Sequence, residues 1–272
     1  MSPSMQIAAP PAPRRLAMPE IAASIGDAGR LYLRYLWRWL ATTILMAVTI
    51  ELFMVVPQVG LAFKIAASGI LGAQIMAMFL AADHGETPRP WRVWAAFAKP
   101  VGITATLVAG VWLPLAIALV WTVFHDGRIV AATVLSNPGK LSLEAQLHFK
   151  MALFAAAMPV TFVAATVVIG RLEGLAAFAR ALLAARRNPL PVLLLTGCTI
   201  AMEATVERLF RHFPDAFGIV VGTLCTLLMV TAMSAWSYAL GARIFAADDL
   251  PVPVTPMSAP APVPAAAHEA PR

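Results

Sequence analysis

A chain of 272 residues in which 60% of the side chains are apolar and only 12% charged falls well short of the roughly 25% charge of soluble domains. No water-soluble core of this size hides that much apolar surface, so an ordinary soluble domain is excluded. The net charge of +6 does not indicate nucleic acid either, because the basic residues cap the ends of apolar runs and do not gather with aromatics on one face.

Residues 1–18 are Pro/Ala-rich, lack the continuous apolar core of a cleavable signal peptide, and are expected to be a disordered tail. The segment 19–38 reads as an interfacial amphipathic helix. Pro19 suits a first-turn position, and Ile21, Ile25, Tyr32 and Leu36 recur at roughly helical spacing. Arg30, Arg34 and Arg38 repeat every four residues and share a face. They either meet anionic headgroups or act as ordinary flank anchors, with Tyr32, Tyr35, Trp37 and Trp39 at headgroup level.

Six apolar runs follow, at 39–58, 61–82, 101–124, 149–170, 190–207 and 216–241. About 20 residues rising 1.5 Å each cross a hydrocarbon core of about 30 Å, so each run is long enough to span. The predicted fold class is therefore all-α: a polytopic transmembrane bundle over 39–245, followed by a second disordered Pro/Ala-rich tail at 246–272.

Within the bundle, Pro57-Gln58-Val59-Gly60 predicts a tight hairpin between the first two spans. Glu51 lies inside span one, where a carboxylate costs roughly 2.5–3.5 kcal/mol on insertion scales. It reads either as a proton or cation site or as one half of an ion pair with Lys64 across that hairpin. Ser68, Gly69, Gly72 and Gln74 read as helix packing. Trp91 and Trp94, flanked by Arg89 and Arg92, anchor the next loop at the lipid interface. Residues 125–148 form the longest loop on the opposite side, with a turn at Ser136-Asn137-Pro138-Gly139.

Glu203 and Glu207 stand one turn apart near the end of span five. They are read as a shared-proton or cation pair, or as ion-pair partners of Arg208 and Arg211. The five histidines have no metal-ligand spacing, and Cys198 and Cys225 fall inside spans, so neither a metal nor a cofactor is expected. Ala95-Ala96-Phe97-Ala98-Lys99 is echoed by Ala176-Ala177-Phe178-Ala179-Arg180 two spans later, a weak sign of a parallel repeat.

Fourteen lysines and arginines fall on the side of the termini and six on the other, which predicts that both termini are cytoplasmic. Arginine outnumbers lysine sixteen to four, a bias that hints at a GC-rich bacterial source. The amphipathic segment leading into Arg187-Asn188-Pro189-Leu190-Pro191 at the start of a span resembles uncharacterised bacterial inner-membrane proteins of about six spans. That resemblance implies a fold and a location, and transfers no chemistry. The functional expectation is a non-enzymatic scaffold, assembly or accessory subunit. Its partners would be membrane lipids and either another membrane protein or a second copy of itself, and not nucleic acid. The competing expectation is a small transporter or lipid-binding protein that uses the intramembrane carboxylates.

Overall fold

The computed structural model describes residues 12–53, 60–136, 141–212 and 216–245. Both turns expected at 57–59 and 137–139, most of both tails, and the Arg211 side chain lie outside the described residues. Every regular element among the described residues is helical. In order these are α1 (Met18–Arg34), α2 (Leu36–Phe53), α3 (Gly60–Asp83), a 3-10 segment (Pro90–Ala98), α4 (Val101–His125) and α5 (Arg128–Ser136). They continue with α6 (Leu143–Ala157), a 3-10 turn (Met158–Val160), α7 (Val163–Val168), α8 (Gly174–Arg187), α9 (Pro189–His212) and α10 (Ala216–Phe245). Six stretches are long and apolar enough to cross a bilayer: Leu36–Phe53, Ala62–Asp83, Val101–His125, Glu144–Val168, Pro189–Leu209 and Val220–Phe245.

Helix α3 is the centre. More than half of its spanning window is buried, against less than a third for every other span. It packs on α2, α4, α7, α10 and the 3-10 segment, and Leu71, Ile75 and Phe79 are fully enclosed. Gly69 makes the α3–α4 approach possible: a Cβ there would lie 2.6 Å from Val111 Cγ2 and 2.9 Å from the Leu107 carbonyl oxygen. Gly72, grouped with it by sequence, has nothing within 4 Å of such a Cβ, so only one of the two glycines is a packing device.

The expected helix at 19–38 ends earlier, at Arg34, and Tyr35 separates it from the first span. Pro19 sits in its first turn, and Glu20 reaches back to accept from the Ala17 amide at 2.8 Å. Its buried face, Ile21, Ser24 and Ala28, lies antiparallel along α10. Arg14 N donates to the Ile244 carbonyl (2.9 Å), Trp236 Nε1 to Ser24 Oγ (3.0 Å), and Tyr32 OH to the Leu228 carbonyl (3.3 Å). Trp39 is fully buried and not an interfacial anchor. Its ring stacks on Phe79 at 3.9 Å, and Phe79 on Tyr238 at 6.2 Å, which ties α2, α3 and α10 together.

Span four is discontinuous. Pro159 opens a 3-10 turn after α6, and the helix resumes only at Val163. Proline removes a ladder donor and crowds the preceding turn; Thr161 Oγ donates to the Ala157 and Met158 carbonyls beside the break. Beyond α7, Arg171 adopts a positive φ of 52°, and the Gly174 amide, also at positive φ, donates to Thr106 Oγ at 2.7 Å. These contacts launch α8, which buries Ala177, Ala181, Ala184 and Ala185 against the bundle.

Candidate functional site

A cleft of about 520 Å³ opens where the last turns of spans two and six meet α1. Residues 27, 30, 31 and 34 share one face of α1 because they recur at three- and four-residue spacing, and that face forms one wall. Tyr238, Ala239, Ala242 and Arg243 of α10 form the other. Asp83, the last residue of α3, closes the floor, and Arg14 reaches in from the extended segment that precedes α1. The two alanines leave room where a larger side chain would fill it.

The polar groups are organised in a clamp. Asp27 accepts from both Arg30 and Arg243 and so joins α1 to α10. The Arg243 hydrogen bond, with Arg30 beside it, outweighs burial and holds the Asp27 carboxyl below its ordinary value. Tyr238, almost fully enclosed, donates to Asp83 Oδ2 at 2.7 Å. Arg14 pairs with Glu20. Arg34 lies over the ring of Tyr35 at 5.2 Å and has no carboxylate partner among the described residues. Four guanidiniums therefore line a cleft that contains two carboxylates.

The segment carrying Arg14 is fixed by Asn188, which is 2% exposed. Its Oδ1 accepts from the Leu16 amide at 2.8 Å, and its Nδ2 donates to the Arg14 carbonyl at 2.9 Å and the Ala184 carbonyl at 3.0 Å. Arg187 adds a hydrogen bond to the Pro13 carbonyl at 2.9 Å. Residues 13–17, assigned by sequence to a tail, are thus tied into the α8–α9 corner.

Sequence-expected residues fall in several places. Arg30 and Arg34 line the cleft, whereas Arg38 turns away and donates to the Pro88 carbonyl at 3.0 Å. Trp91, Trp94 and Phe97 repeat every three residues, the period of a 3-10 helix, so they stand in one exposed row. That segment runs along α2: Trp94 Nε1 donates to Thr49 Oγ at 3.0 Å, and Phe97 meets Phe53 with ring centres 6.1 Å apart. Gln74 does not bridge two spans but donates to the Arg92 carbonyl of the same segment at 3.0 Å.

At the opposite end, Glu51 accepts from Lys64 Nζ at 2.5 Å. Lys150 of α6 lies 3.3 Å from Glu203 and 3.9 Å from Glu207. The glutamates at 51 and 203 each face a lysine and do not converge. His148 meets Asp126 at 3.2 Å, and its ring lies tilted by 58° against that of His125, ring centres 5.2 Å apart. Among the described residues no group of three or more His, Cys, Asp and Glu side chains is placed to hold a metal ion.

Sequence reasoning missed Asp27, Asp83, Tyr238, Arg243 and Arg14 as site residues, because they come from four separate elements. One local signal was present: Asp27 lies on the same helical face as Arg30 and Arg34.

The six apolar helices with charges gathered at their ends define an integral, multi-pass membrane protein. Comparison with known proteins gives no match to a family model, a curated protein or a solved structure.

Proposed function

We propose that this membrane protein works without catalysis, as a scaffold, assembly or accessory subunit, and that its working end is the arginine-rich one. The observation that carries this reading is the cleft. It is the place where α1, α3, α10 and the segment clasped by Asn188 converge, and cationic side chains line it in excess. Supporting it, the exposed Leu175 and Leu182 of α8 lie on the segment that follows span four, and an exposed row of Trp91, Trp94 and Phe97 runs along α2 from the segment that follows span two. Such surfaces suit membrane lipids and a second membrane protein, or a second copy of this chain. The charge asymmetry supports cytoplasmic termini, and the arginine-rich composition supports a bacterial inner membrane.

Native mass spectrometry of the protein in mild detergent tests the reading. A stoichiometric protein partner, lost on replacing the cleft arginines, is the expected result; a bare monomer under all conditions overturns it. Labelling tests the orientation: Ser136→Cys should react from outside and Glu86→Cys should not.

The break at Met158–Val160 favours a second reading, transport, since discontinuous spans build substrate sites in many transporters. A Glu51→Gln protein that folds and functions normally excludes any form of transport driven through that carboxylate.

A further inference from the structure

We propose that the arginine cleft binds a phosphate group at headgroup depth, supplied by an anionic lipid or by a soluble phosphate compound. The inference rests on the reading that the arginine-rich end is the working end, and it adds the chemistry of the ligand.

Position is the first argument. Asp83 ends span two, and Tyr238 to Arg243 occupy the last turns of span six. Those turns lie within about 10 Å of the end of α10 at 1.5 Å per residue. A bilayer fitted to these spans places its phosphates at that level.

Charge is the second argument. Asp27 is satisfied by Arg30 and Arg243, and Asp83 by the Tyr238 hydroxyl. Asp27 offers one negative charge to two guanidiniums, Arg14 is paired with Glu20, and Asp83 keeps its charge beside the neutral Tyr238 hydroxyl, so the cleft carries a net surplus of one positive charge for a ligand. Arg34 has an aromatic neighbour and no acid among the described residues, and Arg30 projects into solvent while holding Asp27. An anion entering the cleft meets donors already oriented by Asp27 and Tyr35, so little ordering cost remains.

Geometry is the third argument. The guanidiniums come from three directions: Arg30 and Arg34 from α1, Arg243 from α10 and Arg14 from the clasped segment. A planar carboxylate uses one or two such forks. A tetrahedral phosphate offers oxygens in several directions and is matched by several forks at once. A cleft of about 520 Å³ is within the range of small-ligand sites.

The test is native mass spectrometry of the full chain in detergent micelles containing either phosphatidic acid or phosphatidylcholine, with inorganic phosphate titrated in a parallel series. The expected result is retention of phosphatidic acid over phosphatidylcholine, or saturable displacement of it by millimolar phosphate. Lipid retention insensitive to phosphate assigns the ligand to the headgroup; displacement assigns it to a soluble compound. The double variant Arg30→Gln/Arg34→Gln should lose about tenfold or more in apparent affinity. Arg38→Gln, whose side chain is turned to Pro88, should stay within about twofold of the parent, since a charge far from the ligand contributes only screened attraction. Arg34→Lys should recover part of the loss, because it keeps the charge without the fork. Equal retention of both lipids by the parent with no saturable binding of inorganic phosphate, or equal losses in the Arg38 and double variants, overturns the proposal. A thermal melt of each variant separates lost binding from lost fold. If the cleft binds phosphate and no protein partner is ever found, the accessory reading fails while this one stands.

Discussion

The two ends of the bundle use their charged side chains differently. At the end marked by Glu51 and His148, charges are consumed locally: Lys64 with Glu51, Lys150 with Glu203 and Glu207, His148 with Asp126. At the other end, Asp27 bridges two helices and leaves guanidiniums around an open cleft. The first arrangement pairs charges within the chain; the second leaves Arg34 with no carboxylate partner among the described residues. A charged residue at a span end is thus informative only when its partners are known.

The sharpest way to break this contrast is at Asn188. Removing its side chain as Asn188→Leu leaves the buried Leu16 amide and the Arg14 carbonyl without partners, which costs about 2–4 kcal/mol. A lowered melting temperature in detergent checks this, together with faster labelling of an Arg15→Cys reporter as the segment detaches. The paired variant Leu16→Ala should act in the same direction through lost burial.

Next in size is the glycine pair. Gly69→Ala drives a Cβ into Val111 and the Leu107 carbonyl and should cost about 1–3 kcal/mol. Gly72→Ala meets open space and should be neutral or raise stability by up to about 1 kcal/mol. Equal effects at both positions contradict the α3–α4 crossing at Gly69.

At the neutralised end, Lys150→Met should change stability by no more than about 1 kcal/mol, since its carboxylate partners are half-exposed. A double-mutant cycle with Glu203→Gln measures the coupling, and a large value indicates that the pair is shielded by lipid or a partner.

The smallest expected effect is the pH response of Asp27. Its folded-state carboxyl titrates below the ordinary value of 3.8, so the clamp is at full strength above that value. As pH falls through 3.8 toward the lowered folded-state value, protonation removes the acceptor for Arg243 and Arg30, and stability declines. A melting series at decreasing pH should show a loss that Asp27→Asn abolishes.

Span number and approximate limits were legible because bilayer thickness imposes a length on each apolar run, and charge is excluded from it whatever the neighbours are. The Glu51–Lys64 ion pair is one of the two readings that the sequence left open for Glu51, and it joins residues close along the chain. Lys150 could not be assigned to Glu203 and Glu207, because the pairing joins α6 to α9. The 3-10 nature of 90–98 was written in the three-residue aromatic period, yet a loop rich in Trp and Arg reads more readily as an interfacial anchor.

Composition and hydropathy therefore determined by themselves that this chain is an all-helical, six-span membrane protein with its basic residues concentrated at one end. Which glycine is a contact, which tryptophan is buried, where the N-terminal segment docks and which arginines share a cleft were decided only by tertiary packing. The reason is physical: partition into a bilayer depends on each segment's own composition, whereas a site depends on side chains from distant segments reaching the same few ångströms.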